Sequence, residues 1–227
     1  MSCDENMGNS PDPLRQIVRR ALGAALPRTF FITHGPHSSP SVCLTFDDGP
    51  HPELTPRVLD VLAAEDVKAT FFVMGRLAER HPDLVRRIEG EGHMVGHHSH
   101  SHPNPMSVSS LTMLREARQA SKTLRDILGH PVRLYRPPHG KLRPLDFIGA
   151  WSLGQTIVLW NVDPKDFSRS SSEAITDWFE ANPLRGGDLV LLHDTAPPTS
   201  LALRSIIVGA RRSGLRLDRL DRWIRWW

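Results

Sequence analysis

The sequence predicts an α/β fold, a distorted or incomplete (β/α) barrel, and three observations carry that expectation. From Ser41 onward, short β-prone runs alternate with helical segments, the pattern of parallel strands joined by right-handed crossovers. No break in composition divides this stretch, so it reads as one domain. The ionisable residues then gather where the runs end: Asp47 and Asp48 after the first, His98 and His102 after the third, Arg136 at the fourth, Asp163 and Asp166 after the fifth, His193 and Asp194 at the sixth. An open doubly wound sheet would concentrate such groups at one switch point. Five of the seven runs delivering them from their C-terminal ends favour a barrel, whose strand ends converge on one mouth.

Taken in order, residues 1–40 read as an N-terminal leader. Its start, "MSCDENMGNSPDP", is polar, and Leu14 to Leu26 carries apolar residues at helical spacing beside Arg15, Arg19 and Arg20. That is a short basic amphipathic helix, suited to packing on a core or, less simply, to lying on a membrane surface. The barrel domain is expected over residues 41–227. Its strand candidates are "SVCLTF", "ATFFV", "HMVGH", "RLYRP", "TIVLWNV", "DLVLLHD" and "LRLDRL". These runs are rich in β-branched and aromatic residues and bounded by turn formers. Helical spacing covers Thr55 to Glu65, Gly75 to Gly90, Ser110 to Leu128, Pro144 to Leu153, Ser172 to Asn182 and Ser200 to Ser213.

Composition excludes several classes. With 227 residues, 39% hydrophobic and 23% charged, the chain can bury a sizeable core and is not disordered by composition. Net charge is only +3, although Leu201 to Trp227 holds seven arginines against Asp218 and Asp221. That basic excess has no recognisable nucleic-acid reading motif, so no nucleic-acid partner is expected. The ending "RWIRWW" combines Arg and Trp as membrane interfaces do, but tryptophans packed on the barrel explain it more simply. Two cysteines make no disulfide framework: Cys43 sits inside an apolar run and Cys3 in the polar start. Neither a secretory signal nor an apolar run of spanning length is visible, so a cytoplasmic location is expected, with peripheral membrane contact the lesser alternative.

The chemistry starts with "CLTFDDGPHPE", where a buried run ends on two adjacent acids. Such a stretch is an ordinary Asp-Asp-Gly-Pro turn unless something neutralises one carboxylate. "GHHSHSHP" supplies a reason, with four histidines in six positions, His97 to His102. On a helical turn His98 and His102 share a face and can grip one ion. If Asp48 is the third ligand, the cation offsets its repulsion from Asp47. Asp47 is then free to serve as a base toward an attacking water. "LYRPPHGK" adds Arg136, whose fork can hold a carboxylate, and "LLHD" adds His193 as a candidate general acid.

Together these stretches resemble the NodB-type polysaccharide deacetylases, carbohydrate esterase family 4, and in size the short chitooligosaccharide deacetylases. The similarity runs from about Ser41 to Arg219, in the family's order and spacing. "TFDDGP" resembles the first family motif, implying Asp47 as general base and Asp48 as metal ligand. "HSHSH" fits H-[ST]-x-x-H, implying His98 and His102 as the other ligands. "RPPHG" resembles the third motif, implying that Arg136 orients Asp47 and that the His139 N–H helps form an oxyanion hole. "DPKDF" is similar to D-x-x-D-W, implying Asp166 as the group tuning the catalytic histidine. "LLH" fits L-x-H, implying Leu191 in the acetyl pocket and His193 as general acid.

The resemblance therefore implies a NodB homology domain that hydrolyses the amide of N-acetylated amino sugars. It also implies one divalent ion, zinc or cobalt. Three departures bear on substrate fit: His97 stands where the family has Asn, His139 where it has Tyr, and Phe167 where it has Trp. The alternatives are a deformylase or deacetylase of a lipid-linked sugar, which would keep the same site, and a catalytically silent carbohydrate-binding relative.

Overall fold

The structure, a computed structural model, describes residues 21–23 and 25–224. Among them the strands are β1 (Phe31–Ile32), β2 (Ser41–Asp47), β3 (Thr70–Val73), β4 (Met94–His97), β5 (Leu134–Tyr135), β6 (Thr156–Val158), β7 (Leu189–His193) and β8 (Arg216–Leu217). The helices are α1 (Leu54–Ala64), α2 (Gly75–Arg80), α3 (Pro82–Gly90), α4 (Ser110–Leu128), α5 (Pro144–Ser152), α6 (Ser172–Ala181) and α7 (Pro197–Arg212). The strand order is β1-β6-β5-β4-β3-β2-β7, with β8 pairing β2 off this path, and every pairing is parallel. Beyond β6 the chain crosses to β7: Val162 bridges Val190, and the Leu191 N–H donates to the Val162 carbonyl at 2.9 Å. A single bridge closes the ring where a barrel would have a ladder, so the expected (β/α) barrel is present in distorted form.

Strand periodicity sorts the side chains into two layers, because successive residues point to opposite faces. Val42, Leu44 and Phe46 of β2, with Val190 and Leu192 of β7, join the large cluster packed under the helices. Cys43 of β2, Phe72 of β3, Leu134, Val158 and Leu189 form a second cluster on the opposite face, inside the ring. Both faces are covered, which is why these strands read as continuous apolar runs rather than alternating ones. Fully burying one such Leu or Phe stabilises the fold by roughly 2 kcal/mol. The same inner parity, two or four residues further along the chain, carries Asp47, His98, Arg136 and His193 to the upper rim.

Several elements depart from the sequence reading. Gly75 to Gly90 is two helices, because His81, at φ −132° and ψ 54°, precedes Pro82, and a residue before proline is pushed out of the helical region. β1 was hidden by its length: two apolar residues show no period, yet Phe31 pairs with Ile157 and brings part of the 1–40 segment into the sheet. β6 ends at Val158, and Trp160 to Val162 run on as loop. "LRLDRL" gives only the two-residue β8, followed by the 3₁₀ turn Leu220–Trp223. Leu220, Trp223 and Ile224 are buried in the inner cluster, and Trp223 Nε1–H donates to Ser39 Oγ at 3.3 Å. These residues plug the floor of the ring; the last three residues, 225–227, lie outside the described set. Most of the basic helix expected over Leu14 to Leu26 also lies outside it. Ala21 to Gly23 are helical, and Leu22 and Leu26 pack beside Phe31 and Ala150. Cys43 is a free buried thiol, and among the described residues no helix is long and apolar enough to cross a membrane.

Candidate active site

β2 delivers Asp47 as its last residue, and the chain then turns through Asp48 at φ +73°. The two carboxylates consequently leave in different directions. Asp47 is 2% exposed, while the Asp48 side chain is about a third exposed at 32%. A side chain on the next residue, Gly49, would drive its Cβ into the Asp194 carboxylate, so only glycine fits this turn. Asp194 itself is buried and accepts from Thr55 Oγ1 at 2.5 Å.

Arg136 rises from the end of β5, fully buried, and its fork makes four hydrogen bonds. It donates to Asp47 Oδ1 at 2.7 Å, Thr45 Oγ1 at 2.8 Å, the Leu159 carbonyl at 3.0 Å and the Val158 carbonyl at 3.3 Å. Its guanidinium lies 4.1 Å over the Phe72 ring. Asp47 is thus held in one orientation by a cation 89 residues away in sequence. Burial pushes the Asp47 carboxyl above its ordinary range, with Arg136 and His193 pulling the other way.

The histidines follow β4. His98 Nδ1–H donates to the Arg136 carbonyl at 2.7 Å, which fixes the tautomer and leaves the Nε2 lone pair facing the mouth. That Nε2 lies 3.6 Å from Asp47 Oδ2, 3.6 Å from Asp48 Oδ1 and 3.2 Å from His102 Nε2; His102 Nε2 is 3.5 Å from Asp48 Oδ1. Burial lowers the His98 pKa to about 3, so the ring is neutral. One ligand atom from each of Asp48, His98 and His102 lies within 4.8 Å of the others, and Asp48 Oδ1 is buried without a hydrogen-bond partner. With both Nε2 lone pairs turned inward, these two rings and the Asp48 carboxylate would all face one cation placed among them. Two imidazoles and a carboxylate suit zinc and its neighbours, so these residues fit a divalent ion. The loop is strained to achieve this, with Ser99 at φ +65° and His102 at φ +62°, positions that cost roughly 1–3 kcal/mol each.

His97 goes elsewhere. It has the opposite parity on β4, is fully buried, stacks on Tyr135 at 4.7 Å, and meets Gln155 Nε2 at 2.7 Å. The expectation that this departure from the family bears on substrate fit is corrected: His97 belongs to the packing behind the sheet.

On the other side of the mouth β7 ends in His193. Asp166 Oδ1 accepts from its Nδ1–H at 2.8 Å and Asp166 Oδ2 from its backbone N–H at 2.7 Å. Thr199 Oγ1 donates to Asp166 Oδ2 at 2.6 Å, and the carboxylate is fully buried. Burial works to lower the His193 pKa, but Asp166, Asp47 and Asp48 together hold it up at about 9. Its Nε2 points toward Asp48 Oδ2, 3.9 Å away. Leu191, two residues earlier on the same inner face, is 4% exposed. Phe167 is 58% exposed and sets its ring edge-on to His193 at 5.1 Å. His139 adopts φ +56° at the Pro-Pro corner, and its ring leans on His102 at 4.8 Å.

The residues to which the motifs assign a catalytic, metal or substrate role therefore line or support one mouth. Asp163, which has no such role, accepts from the Lys165 backbone N–H at 2.9 Å and pairs with its Nζ at 2.7 Å. The sequence reading missed Thr45 and Thr199, which orient Arg136 and Asp166. Thr45 alone had a signal, since it shares the inner parity of Cys43 and Asp47.

Comparison with known proteins agrees with this arrangement. Residues 34–147 match the family model described as polysaccharide deacetylase. A chitooligosaccharide deacetylase of Sinorhizobium fredii is 41% identical over 192 residues, 84% of this chain and 82% of that protein. The crystal structure of the Bc1960 peptidoglycan N-acetylglucosamine deacetylase superposes with a TM-score of 0.81 at 33% identity, covering 86% of this chain and 92% of that one. A second solved structure, a CE4 family pseudoenzyme from Bacillus anthracis, gives a TM-score of 0.80 at 26% identity, over 86% of this chain and 69% of that one.

Proposed function

The chain belongs to the polysaccharide deacetylase family, and on that premise we propose that it hydrolyses the N-acetyl groups of a chitooligosaccharide-type amino sugar. The observation that supports this most is the convergence of Asp47, Asp48, His98, His102 and His193 on one mouth, with a buried partner behind each outer member: Arg136 behind Asp47 and Asp166 behind His193. The unit carrying the chemistry runs over residues 41–227 and draws β1 from the preceding segment.

Asp48, His98 and His102 would hold a divalent cation, zinc or cobalt, whose chemistry there is Lewis-acid polarisation of the amide carbonyl and of water. Asp47 takes the proton of the water that attacks the acetyl carbon. Its carboxyl, raised by burial and held by Arg136, is placed to accept that proton without turning away. The His139 N–H, in the left-handed corner after two prolines, contributes a donor to the developing oxyanion. His193 enters the reaction protonated: Nδ1–H stays on Asp166, and Nε2–H passes to the amine as the C–N bond breaks. Acetate and a free amino sugar leave. Leu191 lines the methyl side of the acetyl group, and Phe167 offers an exposed ring face to a pyranose.

The test is acetate release from N-acetylated chitooligosaccharides by metal-stripped protein, then with zinc or cobalt restored. Release only after metal addition is the expected result. Metal binding without acetate removes the chitooligosaccharide reading and leaves a formylated or lipid-linked sugar, or a silent relative. Acetate release that is unchanged by stripping removes the metal role.

A further inference from the structure

We propose that Glu116, on α4, is a positioning residue that holds the loop between His98 and His102 in its metal-gripping shape, acting through His102. The inference rests on reading Asp48, His98 and His102 as a metal site.

The two histidines are held differently. His98 is anchored through its own ring, by Nδ1–H to the Arg136 carbonyl, and its backbone N–H donates to Val73 at 2.8 Å. The His102 ring has one hydrogen-bond contact, His98 Nε2 itself at 3.2 Å. Its place is therefore set by the loop backbone, which is tied down at several points. The Ser99 and His100 carbonyls accept from the Gly75 and Arg76 N–H groups, at 3.0 and 2.9 Å, at the start of α2. The His102 N–H donates to Ser99 Oγ at 3.0 Å. Three further donors go to one carboxylate: Glu116 Oε2 accepts from the His100 N–H at 3.0 Å and the Ser101 N–H at 2.6 Å, and Oε1 accepts from Ser101 Oγ at 2.9 Å.

Three donors on one carboxylate clamp the two residues between the positive-φ positions Ser99 and His102. A loop strained at both ends relaxes when its clamp is removed, and the His102 ring moves with it. Glu116 is dispensable for α4 itself, which buries Met113, Ala117, Ala120 and Leu124, is capped by Ser109 and ends at Gly129.

The experiment titrates metal-stripped protein with Co(II), reading the visible absorption of the bound ion and its Kd by chelator competition. Partners of metal ligands typically change affinity by about 10–100-fold when removed. Glu116→Ala is expected to weaken Co(II) within that range and to alter the spectrum, with the urea midpoint of the metal-free protein close to wild type. Glu116→Gln, whose amide oxygen still accepts, loses less, and the exposed Arg118→Ala on the same helix loses nothing. Wild-type Kd and spectrum in Glu116→Ala overturn the proposal. So does a loss matched by the metal-free destabilisation with an unchanged spectrum, which is a merely structural effect. Should Glu116→Ala fail to fold, Glu116→Gln decides by the same readings. Wild-type protein that takes up no Co(II) removes the metal site and this inference with it.

Discussion

His93 and His98 flank the two ends of one strand, and both are buried, at 3% exposure each. At the floor, His93 accepts from the Ala69 N–H at 3.1 Å through Nδ1, meets the Phe71 ring edge at 5.4 Å, and its Nε2 has no hydrogen-bond partner. At the mouth, His98 is surrounded by two carboxylates and a second imidazole. Burial drives both rings neutral, His93 to about 4 and His98 to about 3. Burial and charge state therefore do not distinguish a site from packing. Parity and strand direction do: His93, like His97, lies on the face turned to the helices, while His98 lies on the inner face at the end where five strands deliver polar groups.

The comparison breaks most sharply if the outer histidines can stand in for the inner one. His98→Ala is expected to lose metal and bring acetate release to background, whereas His97→Asn, the family's residue, keeps both. Metal content after dialysis, measured beside activity, checks this; a His98→Ala protein that retains its metal removes His98 from the ligand set.

A smaller effect sharpens the division between the two neighbouring acids. Asp47→Asn should keep the metal and lose turnover by roughly 10³-fold, the scale of a general base. Near-normal kcat in that variant would end the proton-transfer role, and loss of metal would make Asp47 a ligand instead.

The smallest effect belongs to the floor. The folded state keeps His93 neutral down to about pH 4, while in the unfolded chain the ring titrates at its ordinary 6.5. Below pH 6.5 the unfolded state therefore takes up a proton that the folded state refuses. The stability is complete above pH 6.5 and is lost progressively as the pH falls toward 4. His93→Gln removes that titration, so its urea midpoint should decline less steeply than wild type between pH 7 and 4.5, with acetate release at pH 7 unchanged. Parallel declines would show that His93 is not the group responsible.

The strands, the doubled acid after β2 and the ordered motifs were legible because each is a local pattern: period two, a turn signal, or a spacing of four. What stayed hidden was either too short or too distant. β1 has two residues and no period. Glu116 looks like any helix-surface glutamate until α4 is laid against the histidine loop. The break at His81 was legible in the Pro82 that follows it but was outweighed by helical spacing on both sides.

By itself, then, the sequence determined which side chains stand at which strand ends, and with them the chemistry available: acids, imidazoles and one arginine fork. Only the tertiary structure decided which of them meet. The Arg136 fork reaches Asp47 across 89 residues, and Asp166 reaches His193 across 27. Such contacts depend on the sheet curling until separate strand ends face one mouth. Local sterics set period and turn, but burial, orientation and pKa come from neighbours that chain order does not place side by side.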